Sequence, residues 1–121
     1  MVVGSKRVQC ILRDVEKLRF YTKKRTKQLK IAENLTYYIV QSLNKVNTDH
    51  LLHTTTIWAL ITIFKLFPVE LKEVMLAAGV PRVLFDIIKA DLLTGSTRQY
   101  CSELCFYLRY STITVAVFTT H

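Results

Sequence analysis

Residues 67–108 read FPVELKEVMLAAGVPRVLFDIIKADLLTGSTRQYCSELCFYL, and the breaks within this stretch decide the fold. The apolar residues before Gly79 predict a short helix that ends there, because glycine enters the left-handed conformation of a helix end without a steric penalty. Pro81 then starts a second helix, since its fixed φ and missing N–H suit a first helical turn. The Gly-Val-Pro sequence therefore predicts a sharp turn between two helices.

The helix that starts at Pro81 has one apolar side. Its apolar residues recur at intervals of three and four, the period of an amphipathic helix: Val83, Leu84, Ile87 and Ile88. Gly95 interrupts this pattern, and the polar residues after it predict the start of a further helix.

These features resemble the armadillo repeat, in which a helix leads through a polar turn and a short segment ending in Ala-Gly-x-x-Pro into a long third helix. The resemblance covers residues 54–110. The residues that carry it are Trp-Ala-Leu at 58–60, Pro-Val-Glu-Leu at 68–71, Ala-Gly-Val-Pro at 78–81 and Leu-Phe-Asp-Ile-Ile at 84–88. The resemblance implies an all-α fold, namely a fragment of a right-handed α-solenoid with about two and a half repeats.

An internal comparison also indicates a repeat. Shifting the chain by 44 residues places Ile39 on Val83 and Leu60 on Leu104. Armadillo and HEAT arrays have periods of about 40 to 47 residues. We therefore expect three parts: a basic amphipathic helical segment (residues 1–30), armadillo-like repeats (31–110) and a tail outside the repeats (111–121).

The tail and the small number of repeats predict a fragment or truncated form of a longer array. Residues 112–121 are rich in β-branched side chains, which favour strands over helices. Repeats bury their apolar faces against their neighbours, so about three are needed for stability. We therefore also expect self-association through exposed repeat ends.

The N-terminal segment has helical periodicity of its own. Its apolar stripe consists of Val8, Ile11, Leu12, Val15 and Leu18. We expect this stripe to pack against the next helix, around residues 29–43, which carries a matching stripe.

Positive charge is concentrated in this same segment. The whole chain has a formal net charge of +8. Residues 1–30 hold ten Lys or Arg and two acidic residues, and the remaining 91 hold seven of each, so the entire excess lies in the first part. The densest basic patch consists of Lys23, Lys24, Arg25, Lys27 and Lys30. A solvated helix face, nucleic acid, an anionic surface and nuclear-import recognition are all open interpretations.

Other classes of function have less support in the sequence. The uncharged stretch between His53 and Lys65 is shorter than the about twenty residues a membrane span needs, so we expect no membrane association and a cytoplasmic location, with the nucleus as the alternative. Cys101 and Cys105 fit buried thiols better than a zinc site. No nucleophile, base or glycine-rich phosphate loop is evident, so we expect no enzyme activity, no metal and no cofactor.

The resemblance implies a non-catalytic scaffold, since armadillo arrays bind extended peptides or partner helices on a concave face. The positions that correspond to this face are Arg82, Asp86 and Lys89, with Tyr37 and Gln41 on the degenerate earlier copy. The first functional hypothesis is therefore a protein-interaction segment. The alternative is a nucleic-acid or anionic-surface binding module that acts through the basic patch.

Overall fold

A computed structural model describes residues 5–45, 50–90, 93 and 95–119. Within these residues the fold is all-α, as predicted, and contains no strand. The elements are α1 (Ser5–Glu16), a π-helical turn (Lys17–Tyr21), α2 (Arg25–Lys45), α3 (His50–Leu66), α4 (Pro68–Ala78), α5 (Val80–Ala90) and α6 (Gly95–Thr119).

Helix α3 forms the centre of the core. Its sequence is apolar on most sides, and Leu52, Ile57, Leu60 and Ile63 are fully buried. Burial of each such side chain contributes about 1.5 to 3 kcal/mol relative to exposure. Helices α1, α2, α4 and α6 all contact α3, so one apolar helix holds most of the molecule together.

Helix α1 buries most of its predicted apolar stripe. Val8, Ile11 and Val15 are buried, whereas Leu12 remains 43% exposed. The predicted partner of α1 was α2, and α1 does contact it, but its main contact is α3. The reason is that α3 presents apolar side chains around most of its circumference, whereas α2 has a single stripe.

The junction between α4 and α5 confirms the prediction made from Gly79 and Pro81. Gly79 has φ 86° and ψ 26°, the left-handed conformation, and ends α4. Its backbone N–H donates to the carbonyl of Leu76 at 3.2 Å. Helix α5 begins at Val80, so Pro81 lies in its first turn. Two helices are thus joined through a single residue.

The helix contacts follow the internal period of 44 residues. This offset relates the first part of α2 to α4, the rest of α2 to α5, and α3 to α6. Helix α2 contacts both α4 and α5, and α3 contacts α6. The offset also relates Leu60 to Leu104 and Phe64 to Leu108, and all four side chains are buried. Helices α1, α3 and α6 form one series of neighbours, and α2, α4 and α5 form another. This arrangement is consistent with a helical repeat.

Two helices run across predicted domain boundaries. The boundary after residue 30 falls inside α2, because Arg25–Lys45 is one helix. The strand-forming composition after Tyr110 does not end α6, whose backbone remains helical to Thr119. Intrinsic β-propensity is a weak bias of about 1 kcal/mol, and a helix already formed over residues 95–110 extends at little cost. Residues 120–121 lie outside the described residues.

In the described part of the chain, none of the helices combines the length and the apolar character needed to cross a bilayer.

Candidate functional site: a lysine-lined groove

The π-helical turn at the end of α1 changes the direction of the chain. Leu18 in this turn is fully buried, whereas Phe20 and Tyr21 are 65% and 75% exposed. Thr22 then adopts an extended conformation, with φ −120° and ψ 119°, and α2 begins three residues later. Isolated π-helical turns are rare and often occur at functional sites.

A side chain of α2 holds this turn in place. The amide Nε2 of Gln28 donates to the carbonyl of Thr22 at 2.8 Å and approaches the carbonyl of Leu18 at 3.4 Å. An amide nitrogen carries two hydrogens, so it can serve both acceptors. Gln28 therefore satisfies carbonyls that the end of the helix leaves without a backbone partner.

The π-helical turn and the start of α2 line an open groove of about 560 Å³, which we call the lysine groove. It is lined by Lys17, Tyr21, Thr22, Lys23, Lys24, Lys27, Lys30 and Ile31. All five lysines are exposed. Five lysine side chains and one accessible aromatic ring therefore line a single groove.

The structure divides the predicted basic patch. Lys23, Lys24, Lys27 and Lys30 line the groove, but Arg25 does not. The guanidinium of Arg25 donates to Oε2 of Glu70 on α4 at 2.8 Å. It also lies 4.6 Å from the centroid of the Phe67 ring. Arg25 therefore joins α2 to α4.

Lys17 is the one groove lysine that lies outside the predicted basic patch. It belongs to the N-terminal helical stretch, six residues before the basic patch begins. The extended residue Thr22 after the π-helical turn reverses the chain and brings both lysines to one groove. A loss of apolar periodicity after Leu18 is the one signal that indicated a break in the helix.

The predicted partner-binding residues occupy a different surface. Arg82, Asp86 and Lys89 on α5 are exposed, as are Tyr37 and Gln41 on α2. Helices α2 and α5 contact each other, so the structure places both groups on adjoining helices.

Helix α5, which carries Arg82, Asp86 and Lys89, also exposes two large apolar side chains. On α5, Phe85 is 59% exposed and Ile88 is 42% exposed. The ammonium of Lys89 lies 5.3 Å from the centroid of the Phe85 ring.

Trp58 on α3 is half-buried and packs against the core. It also lines a small hollow of about 280 Å³ between α1, α3 and α6, together with Leu12 and Tyr100.

The prediction of buried thiols on α6 is confirmed for Cys101, whereas Cys105 is half-buried. Cys101 is fully buried and is not joined to Cys105 in a disulfide. A hydrogen bond with Cys105, together with burial, raises the pKa of Cys101 far above its usual range. A protonated thiol is a poor nucleophile and a poor metal ligand. Among the residues that the structure describes, no three His, Cys, Asp or Glu side chains are grouped to hold a metal ion.

Comparisons of the chain with protein-family models, with curated proteins and with solved structures found no match.

Proposed function

We propose that this chain is a non-catalytic binding module of armadillo-like helical repeats that binds a polyanionic partner in the lysine groove. The observation that carries this proposal is that five lysines line one groove. Exposed lysines on a helix are usually dispersed over a solvated face. In a concave arrangement, the positive electrostatic potentials of the lysines instead sum within the groove and raise the local concentration of anions.

The armadillo-like character of the module is part of the proposal. It is supported by the contacts of α2 with α4 and α5 and of α3 with α6, which follow the same offset as the sequence repeat. It is also supported by the left-handed Gly79 and by Pro81 in the first turn of α5.

The first test is the salt dependence of binding to inorganic polyphosphate, a ligand that carries charge and no other recognition feature. Each contacted phosphate releases counterions. If each contacted phosphate contributes the salt slope known for single-stranded nucleic acid, contact with three phosphates lowers the affinity about ten- to twentyfold between 50 and 200 mM salt. Isothermal titration calorimetry at several salt concentrations measures this slope. Binding that does not change with salt would contradict the proposal.

Two charge-reversal variants locate the binding. Lys23→Glu/Lys27→Glu changes the groove, and Arg82→Glu/Lys89→Glu makes the same change of net charge on α5. All four side chains are exposed, so we expect both variants to fold. The groove variant should lose polyphosphate binding, and the α5 variant should retain most of it. Equal losses would mean that total charge, rather than the groove, determines affinity.

The exposed surface of α5 supports a second function, the binding of a protein partner. Phe85 and Ile88 expose apolar surface beside Arg82 and Lys89. Aromatic and arginine side chains are frequent energetic hot spots of protein interfaces. The partner would be a peptide or helix with apolar side chains that cover Phe85 and Ile88.

Peptides selected from a displayed random library on the wild-type chain supply a defined probe for this second function. Synthetic copies should bind the groove variant as well as the wild type and should lose binding to Arg82→Glu/Lys89→Glu. Selected peptides that bind the α5 variant unchanged would exclude this surface as the site.

A further inference from the structure

We infer that the lysine groove binds single-stranded nucleic acid, with the ring of Tyr21 stacked on a base and the lysines in contact with the flanking phosphates. This inference rests on the polyanion binding proposed above and specifies its ligand. It depends on the one aromatic residue in the lining of the groove, Tyr21.

Tyr21 is the distinguishing residue. Its side chain is 75% exposed although it lies in the wall of the groove. An acidic peptide or a polyphosphate chain uses only the ammonium groups and leaves this ring in water. A base has a π-face of its own, and stacking between a base and an aromatic side chain is the sequence-tolerant contact of proteins that bind single strands.

The position of the ring is set by the fold. Buried Leu18 fixes the π-helical turn from below, and Gln28 fixes the carbonyl of Thr22 on the other side of Tyr21. The backbone on both sides of the ring is therefore held while the ring itself stays accessible. Such preorganisation lowers the entropy that binding would otherwise lose.

The ligand is a single strand rather than a duplex. Bases in a duplex are stacked on one another, and a side chain reaches a base face only after the base leaves the stack. A volume of about 560 Å³ lies in the range of sites that hold a small ligand, so the groove has room for a short run of nucleotides.

The lining also predicts little sequence preference. Reading a base edge requires planar, bidentate groups such as Arg, Asn or Gln. Lysine carries a compact charge that contacts phosphate as a point, and the groove is lined by lysines. We therefore expect similar affinities for different unstructured sequences of equal length.

The test compares two fluorescein-labelled ligands by anisotropy with the 121-residue chain. One is a thymidine 12-mer, and the other is an abasic 12-mer with the same phosphates and no bases. The wild type should bind the thymidine oligonucleotide about 5- to 150-fold more tightly, the range that stacking of one base produces. Tyr21→Ala should remove this preference and leave the affinity for the abasic oligonucleotide unchanged.

Phe20 provides a matched control. It is the adjacent aromatic residue and is 65% exposed, but it lies outside the groove, with the guanidinium of Arg19 5.2 Å from its ring centroid. Phe20→Ala should therefore bind both oligonucleotides like the wild type. Circular dichroism melts confirm that both variants fold.

Each outcome has a distinct meaning. Equal affinity of the wild type for the two oligonucleotides would overturn the stacking inference and leave polyanion binding intact. Binding of neither ligand, together with no binding of polyphosphate, would overturn both. An equal loss in Phe20→Ala and Tyr21→Ala, accompanied by tight binding to vesicles containing phosphatidylserine, would assign the aromatic pair to a membrane surface instead.

Discussion

Gly79 is the residue on which the junction between α4 and α5 depends. Its φ of 86° lies in the left-handed region, and a Cβ built at this position meets no heavy atom within 4 Å. The space around Gly79 would therefore accept a methyl group, and only the backbone conformation opposes one. A substitution at Gly79 therefore measures the cost of the backbone conformation without a contribution from steric clashes.

Gly79→Ala should destabilise the fold by about 1 to 2 kcal/mol, the cost of placing an L-residue in the left-handed conformation. Gly79→Asn should cost less, because asparagine tolerates this region better. Urea unfolding followed by circular dichroism measures both changes.

An alanine-to-glycine substitution in the preceding helix serves as the control for Gly79→Ala. Ala77→Gly, two residues earlier in an exposed helical position, should also destabilise, by about 1 kcal/mol, through lost helix propensity. A neutral Gly79→Ala would show that the junction can adopt another conformation.

At the scale of elements, Arg25 joins α2 to α4 through a bond to Glu70 at 2.8 Å and a contact with the Phe67 ring. The hydrogen bond from Arg25 lowers the pKa of the Glu70 carboxyl below its ordinary value. Because the pKa is lower in the folded state, the ionised carboxylate stabilises the fold. This contribution is present above the pKa of the unfolded chain and disappears as the pH falls through the folded-state pKa.

We predict that Glu70→Gln destabilises the chain at pH 7, and that the difference from the wild type disappears as the pH is lowered below the folded-state pKa. The effect is small, because the pair is exposed to solvent. Arg25→Ala should cost more than Glu70→Gln, since it also removes the contact with Phe67. Urea unfolding at a series of pH values measures all three chains.

The control for this pH dependence is the Arg25→Gln background. Without the guanidinium, the pH-dependent effect of Glu70→Gln should shrink to the part due to the backbone hydrogen bond at Glu70, which also lowers this pKa. A difference of the same size in that background would show that another group lowers the Glu70 pKa.

At the scale of the whole molecule, the concentrated positive charge lowers the stability of the folded state. The net charge of +8 resides in residues 1–30, and five of the lysines in this segment share one groove. Like charges so close together destabilise the compact state through mutual repulsion. Salt screens this repulsion over a distance of about 10 Å at 0.1 M.

We predict that raising NaCl from about 10 to about 150 mM stabilises the chain by on the order of 1 kcal/mol, the sum of several screened pairs. Lys24→Gln/Lys27→Gln should reduce this gain, and Lys6→Gln/Lys89→Gln, which removes two exposed lysines outside the groove, should leave most of it. Thermal unfolding at several salt concentrations measures the gain. A salt dependence that is the same in all three chains would show that the repulsion is not localised in the groove.

The sequence predicted the fold better than the site, for a physical reason. Gly79 and Pro81 act through local backbone conformation, and a period of 3.6 is visible in the buried residues of α1 and α5, so both could be predicted from neighbouring residues. The lysine groove depends on a reversal of the chain at Thr22, and no local pattern predicts a π-helical turn. Lys17 therefore lies outside the predicted basic patch, and Arg25, which the patch includes, lies outside the groove.

The π-helical turn also has a consequence for how this protein tolerates changes in length. A π-helical turn holds one residue more between hydrogen-bonded groups than an α-helical turn, and each residue of an α-helix rotates the next by about 100°. Deleting a single residue between Lys17 and Tyr21 would convert the turn to α-helix. The side chains that follow the deletion would then be rotated by about 100° about the axis of α1. Insertions and deletions here are therefore more damaging than substitutions, although Phe20 and Tyr21 are exposed. In homologous chains, the spacing between Leu18 and Gln28 should vary less than the identity of the residues between them.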